Sequence, residues 1–414
     1  MAFLETQSIA IDGMTEALSN ETSIHADFSC RNCHAPNIDI FYRTGDVPVH
    51  SCMMMDSKEA AQSFPRLPIV LGFCKSCGFV SNVIFDECQL HYNGRYEDQQ
   101  SFSERFCAFQ TNLIRRLIDR YSLAGKRIVE IGSGKGDFLI ELCRAARATG
   151  IGIDPRHGSE HNISDGSVQF VAEHFGPQHA RFACDFVCCR HTFEHIAHTD
   201  RLISQLRQAL DGKPNSLVFF EVPDASRIWK EKAFWEVYYE HCSYFSPGSL
   251  AEVFRRNRFE IIELDRIFGD QYLLIVARPV AEVLQHRLSI EESITSQVRD
   301  VDAFRIQIPS RIAYWKERLA CWRSSGKRVA VWGAGSKCVS FLTALECADL
   351  IECIVDINPN QQGKFMPGIT QQIVSPDALR VHRPDVVLMM NVIYCEEINS
   401  ELSRMRLNSE LLGV

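Results

Sequence analysis

The chain has 414 residues, more than one hydrophobic core usually serves, so two or three domains are expected. Its 46% hydrophobic and 23% charged residues fit a globular protein, and a net charge of -8 offers no positive field to attract a phosphate backbone. Nucleic acid is therefore not the expected partner, although net charge alone leaves a local basic groove open. No basic segment leads into an apolar run at the start, and no stretch reaches the length of a membrane span. The expectation is a cytoplasmic protein with no membrane partner, whose 17 cysteines are reduced thiols or metal ligands.

Residues 1–25 are polar and without periodicity, which reads as a loosely ordered leader. Residues 26–85 carry two regularly spaced pairs, "CRNC" (Cys30, Cys33) and "CKSCG" (Cys74, Cys77). Each Cys-x-x-Cys turn can supply two sulfurs to one ion, so the four together suit a zinc-binding domain. Four thiolates leave no open position, and the zinc is therefore expected to be structural. Gly78 after the second pair permits a positive φ and lets backbone amides face the sulfurs. His34, His50 and Cys52 are nearby and read as ordinary residues.

From residue 126 strands and helices alternate. "KRIVEIGSGKGDFLIELCRAA" is a strand, a glycine loop and an amphipathic helix, and "ATGIGIDP" is a second strand ending in Asp154. "SVQFVAEHF", "CDFVCCRHTFEHI" and "NSLVFFEVP" supply three more strands. "FEIIELDRIF" and "YLLIVARP", joined through Gly269 and Asp270, suit an antiparallel pair at the sheet's end. Five βα units closed by a hairpin make residues 86–280 an α/β, Rossmann-like core with the strand plan of a class I methyltransferase. Residues 281–325 read as a charged helical connecting arm interrupted at Pro309. "KRVAVWGAGSKC" then opens a C-terminal Rossmann-like α/β domain, residues 326–414, with Asp356 ending its second strand. This loop lacks a third glycine, with Val339 in its place, which favours plain Rossmann-like packing over a working dinucleotide site.

The first glycine loop, "EIGSGKGD", spaces Gly132, Gly134 and Gly136 as G-x-G-x-G and is preceded by Glu130. A dinucleotide fingerprint would be spaced G-x-G-x-x-G to hold a pyrophosphate. The observed pattern resembles motif I of the S-adenosylmethionine (SAM)-dependent methyltransferases, in which the backbone approaches a sulfonium ligand. Asp154 then matches the family's acidic residue for the two ribose hydroxyls, a task a carboxylate performs well.

The paired cysteines, the methyltransferase plan and the C-terminal half together resemble the sugar C-methyltransferases of deoxysugar biosynthesis, over residues 27 to 400. The specific stretches are "CRNC", "FCKSCGFV", "YEDQQSFS", "VEIGSGKGDFL", "CRHTFEHI", "YYEHCSYFS" and "VDINPNQQGKFMPG". The resemblance implies C-methylation of a nucleotide-linked 4-keto-6-deoxy sugar, a small-molecule acceptor, with His241 as general base. Tyr238 and Glu240 match that motif, Glu240 tuning the base or holding a sugar hydroxyl. His191 matches a further histidine, expected as an oxyanion donor, and Tyr96 a tyrosine for which Tyr92 is the alternative. The acceptor wall is expected to be the aromatic stretch "WEVYYEHCSYFS", the other reading of which is an aromatic core with a satisfied histidine. The C-terminal half is expected to hold the nucleotide near Lys337, Lys364 and residues 356–359. O- or N-methylation of another small metabolite is the alternative activity, and a monomer or weak homo-oligomer the expected state.

Overall fold

The computed structural model describes residues 28–36, 38–90, 95–156, 166–283 and 286–414. The expected leader and Tyr92 lie outside them. The described N-terminal strands are β1 (Asp39–Arg43), β2 (Val47–Pro48), β3 (Arg66–Leu67), β4 (Val70–Phe73) and β5 (Val80–Asn82), with the short helix α1 (Lys58–Gln62) between β2 and β3. The helix α2 (Glu104–Tyr121) follows, started by Ser103, whose hydroxyl accepts from the Phe106 amide, and burying Phe106, Leu113, Ile114 and Leu117 along one face.

The central part runs β6 (Arg127–Ile131), α3 (Asp137–Ala146), β7 (Thr149–Ile153), β8 (Val168–Val171), β9 (Phe186–Arg190), α4 (Thr199–Ala209), β10 (Leu217–Pro223) and α5 (Ala225–Glu231). It continues with β11 (Ser243–Tyr244), α6 (Pro247–Arg256), β12 (Phe259–Ile267) and β13 (Tyr272–Pro279). Seven of these strands form one sheet in the order β12-β13-β10-β9-β6-β7-β8. Five are parallel, and β13 enters antiparallel between β10 and its hairpin partner β12. This is the class I methyltransferase plan expected from the sequence. The strands alternate between two cores, as β9 illustrates: Phe186 and Cys188 face α2 and α3, whereas Val187 and Cys189 face α4 and α6.

One element departs from the linear order. β11 leaves the central part and pairs with β5, extending the N-terminal sheet to β1-β4-β5-β11. The segment that carries His241 is thereby fixed to the cysteine-bearing region, while Phe245 just beyond β11 bridges Asp224 at the end of β10.

The arm is one helix, α7 (Ile294–Ser324), and Pro309 lies inside it without interrupting it. The missing amide costs one ladder bond, but Val301, Phe304, Ile308, Trp315, Leu319 and Trp322 keep a continuous buried face on both sides of the proline. Those residues share a core with Phe41, Leu71 and Phe73 of the N-terminal sheet and with Val329, Val331 and Phe341 beyond the arm, so α7 works as a strut. The C-terminal part comprises β14 (Val329–Trp332), α8 (Ser336–Leu345), β15 (Cys353–Val355), β16 (Ile373–Val374), α9 (Leu379–His382), β17 (Val386–Met389), α10 (Cys395–Arg404) and β18 (Glu410–Gly413). Its sheet is wholly parallel, ordered β16-β15-β14-β17-β18, and Rossmann-like as expected. Among the described residues no helix is long and apolar enough to cross a membrane.

Candidate active site and metal centre

The four N-terminal cysteines converge. Sγ of Cys30 lies 3.7 Å from that of Cys77, and Sγ of Cys33 lies 3.5 Å from that of Cys74. Sulfurs placed tetrahedrally about an ion at roughly 2.3 Å stand about 3.8 Å apart, so the residues fit a tetrathiolate ion. Both pairs use the same turn: His34 donates its amide to Cys30 carbonyl with φ 61°, and Gly78 donates to Cys74 carbonyl with φ 75°. Asn32 secures the cluster to the central part, its amide side chain donating to the Ser249 carbonyl and accepting from Thr199. His34 pairs with Asp200, His50 with Glu240, and Cys52 with Ser336, so none of the three adjoins the cluster as a ligand.

The glycine loop at the end of β6 opens into a cavity of about 1040 Å³ bordered by the N-terminal, central and C-terminal parts. All three glycines have positive φ, 70°, 55° and 86° for Gly132, Gly134 and Gly136. A Cβ at Gly132 would overlap Thr192, and one at Gly136 would overlap the Phe170 ring. Glu130 is buried beneath the loop, its Oε2 has no hydrogen-bond partner among the described residues, and burial pushes its pKa up to about 8. Such a loop with an unpartnered polar group below it fits a ligand that draws close to backbone. Asp154 accepts the Gly134 amide at 2.9 Å and is covered by Arg156, whose guanidinium also donates to it at 3.2 Å. Burial alone would raise the Asp154 pKa, but Arg156 and the amides outweigh it and hold the carboxyl below its usual range. Gly132, Gly134, Glu130 and Arg156 line the cavity, whereas Asp154 and Gly136 sit behind its surface.

The stretch 235–246 divides between the two readings. Trp235, Tyr239 and Tyr244 are buried in the core that joins the three parts, and only Glu236, Tyr238 and His241 of this segment line the cavity. The His241 ring is 4.2 Å from that of Tyr238 and 4.8 Å, edge to face, from that of His195. Burial, with His195 and His191 nearby, holds the His241 pKa well below its ordinary value, so its ring is neutral and keeps a lone pair. Glu240 faces the other way: its oxygens accept from His50 Nδ1 at 2.8 Å and from the Ser51 amide at 3.0 Å. That geometry makes it a tie to the N-terminal loop, with no oxygen on the cavity.

His191 lines the cavity with φ 46° and lies between two carboxylates, Nε2 3.0 Å from Glu221 and Nδ1 3.7 Å from Glu194. Burial would lower its pKa, yet Glu221 and Glu194 raise it to about 9, so the ring is an imidazolium with donors on both nitrogens. Tyr96 lines the cavity beside Arg156, whose guanidinium carbon is 5.6 Å from the ring centroid. The residues after Tyr96 were not anticipated in a site role. Glu97 accepts from Lys135 of the glycine loop and from Asn358 of the C-terminal part, and Asp98 also borders the cavity. Glu194 and His195 were equally missed; their signal was the "EH" pair of "CRHTFEHI", three and four residues after His191.

Two family models match the chain: a methyltransferase domain over residues 103–264, and a C-methyltransferase C-terminal domain over residues 275–410. The C-methyltransferase NovU of Streptomyces niveus is 26% identical over an alignment 391 residues long that covers 89% of this chain and 90% of that protein. The two domains and this relative together support a SAM-dependent methyltransferase. Among solved structures, magnesium protoporphyrin IX methyltransferase from Synechocystis PCC 6803 with bound SAH covers 45% of the methyltransferase and 91% of its own chain, at 14% identity and a TM-score of 0.34. A SAM-dependent methyltransferase from Listeria monocytogenes covers 42% and 99%, at 13% identity and a TM-score of 0.33.

The C-terminal loop of the methyltransferase repeats the geometry of the first. Gly333 donates its amide to Val355 as Gly132 does to Ile153, and Ala334 donates to Asp356 as Gly134 does to Asp154. Both loops open into the same cavity, which Lys337, Asp356 and Asn358 line. Lys337 is already paired with Glu236 at 2.6 Å, and Glu236 also takes Arg227 at 2.5 Å. Lys364, expected near a nucleotide, instead lies on an exposed face paired with Asp56, because its loop folds onto the N-terminal part through the Phe365–Met55 bridge.

Proposed function

We propose that the protein methylates a carbon beside a ketone in a nucleotide-linked keto-deoxysugar, with His241 as the base. The observation that carries this reading is the neutral His241 ring on the wall of the cavity into which the glycine loop opens. SAM would be held by Gly132, Gly134 and Glu130, with Asp154 reached once Arg156 yields. Bound there, it supplies a methyl group on a positively charged sulfur.

The rest is the work of the chain. A C–H beside a carbonyl loses its proton only to a base within hydrogen-bond reach. His241 takes that proton on its free nitrogen, and the electron pair of the C–H bond moves onto the carbonyl oxygen. The charge that grows there is met by a donor, for which the His191 imidazolium and the Tyr238 hydroxyl are the candidates. Tyr96 and the residues following it close the cavity and limit water. The shared cavity is large enough for a cofactor and a nucleotide sugar together, with the C-terminal loop beside the nucleotide. Cys30, Cys33, Cys74 and Cys77 hold a structural zinc ion remote from this chemistry.

The test is solvent deuterium exchange into a panel of nucleotide-linked 4-keto sugars, with SAH binding followed by calorimetry. Exchange at the carbon beside the ketone, lost in His241→Gln, is the expected outcome. SAH binding with no exchange into any sugar would leave methyl transfer standing and remove the carbon acid.

A further inference from the structure

Glu194 borders the cavity beside His195 and His241. Its carboxyl is buried, 2% exposed, and Oε2 has no hydrogen-bond partner among the described residues. An unpartnered carboxylate oxygen in such surroundings is costly, and natural sites place a donor or a cation against it. Glu194 and His195 lie together on the one-turn 3-10 helix Phe193–His195 after β9, while His241 arrives from the turn that ends at β11. The ligand atoms of these three side chains all lie within 4.8 Å of one another.

Two imidazoles and a carboxylate form a donor set for zinc and its divalent neighbours, leaving further positions open. Donors placed tetrahedrally at roughly 2.1 Å from an ion stand about 3.4 Å apart, so closure needs side-chain shifts on the order of 1 Å. The His195 and His241 rings meet edge to face, 4.8 Å apart, and Glu194 adds the oxygen that is unused among the described residues.

We propose that Glu194, His195 and His241 form a second metal site, which binds a divalent transition-metal ion reversibly and is separate from the four-cysteine cluster. The ion would occupy the His241 lone pair, so metal binding and proton abstraction exclude each other. This consequence rests on His241 being the base; the binding itself does not.

Cobalt provides the test. Protein whose cysteine cluster is filled with Zn²⁺ is titrated with Co²⁺, recording visible spectra, total metal per chain and SAH binding. The expected result is one additional equivalent with weak d–d bands and no sulfur-to-cobalt charge-transfer bands. Glu194→Gln and His195→Gln should each weaken that equivalent at least roughly tenfold while retaining the zinc and SAH binding, which show that the fold survives. No additional equivalent at micromolar Co²⁺, bands of sulfur ligation alone, or unchanged binding in both variants would each overturn the proposal.

Discussion

His50 Nδ1 and Glu240 Oε1 lie 2.8 Å apart, with side chains 3% and 1% exposed, and this pair clamps the N-terminal loop to the turn that presents His241. Removing one member leaves the other buried without its partner, which costs more than the intact pair contributes. Glu240→Ala should lower unfolding free energy by about 3 kcal/mol and reduce kcat by displacing His241. Glu240→Gln, which can still bond His50 and Ser51, should stay within about tenfold of the parent activity. Denaturant unfolding and kinetics on the same samples check both; a Gln variant as inactive as His241→Gln would place Glu240 in direct contact with the acceptor.

Loss of His241 should separate chemistry from binding. His241→Gln is expected to cut methyl transfer by about 10²- to 10⁴-fold, the usual range for one general base. SAH affinity should remain within a few-fold, because the glycine loop lies on other elements. Steady-state kinetics and calorimetry together make the check.

The glycine loop is stringent for a local reason. Gly132→Ala must place a Cβ at φ 70° and against Thr192, whose hydroxyl also donates to the Gly132 carbonyl. SAH binding should weaken by more than about tenfold while the secondary structure is kept, since backbone strain of about 1–2 kcal/mol falls on the loop itself. Circular dichroism and SAH titration distinguish this from general unfolding.

The four cysteines should hold one ion per chain. A strong chelator is expected to release one zinc and to lower the thermal midpoint, and Cys74→Ser to do the same. The loss should reach α4 and α6, because Asn32 between the ligands is bonded to Thr199 and Ser249. Metal analysis with thermal melts measures it; full stability without zinc would contradict it.

Glu221 sets a pH window. Burial would raise its pKa, but Arg190 at 2.8 Å and His191 outweigh this and hold it at about 2, against an ordinary 4.5. A depressed carboxyl contributes stability above 4.5 that is lost as pH falls through about 2. His191, raised to about 9 from 6.5, contributes below 6.5 and loses its share as pH rises through about 9. These are two views of one pairing, so stability should be greatest between 4.5 and 6.5 and fall on either side. Glu221→Gln should flatten both limbs and cost about 3–5 kcal/mol by leaving Arg190 buried and unpaired. Denaturant midpoints across pH test it.

The elements and the local motifs are legible in the order of residues alone. Strand and helix periodicity gave the central sheet, and Cys-x-x-Cys and G-x-G-x-G are short enough for backbone geometry to dictate what they bring together. Gly132 with Gly134, and Cys30 with Cys33, therefore appear where the spacing placed them. Which side of a segment meets the cavity depends on how the elements pack. Glu240 and His241 are neighbours in sequence, but β11 pairs with β5 and turns one toward His50 and the other toward His195. Pro309 reads as a break locally, yet the buried face of α7 carries the helix past it. Lys337 and Lys364 share a charge, but Glu236 and Asp56, remote in sequence, decide that one borders the cavity and the other does not. Contacts between residues a hundred or more positions apart follow from how whole elements pack, and no local pattern encodes them.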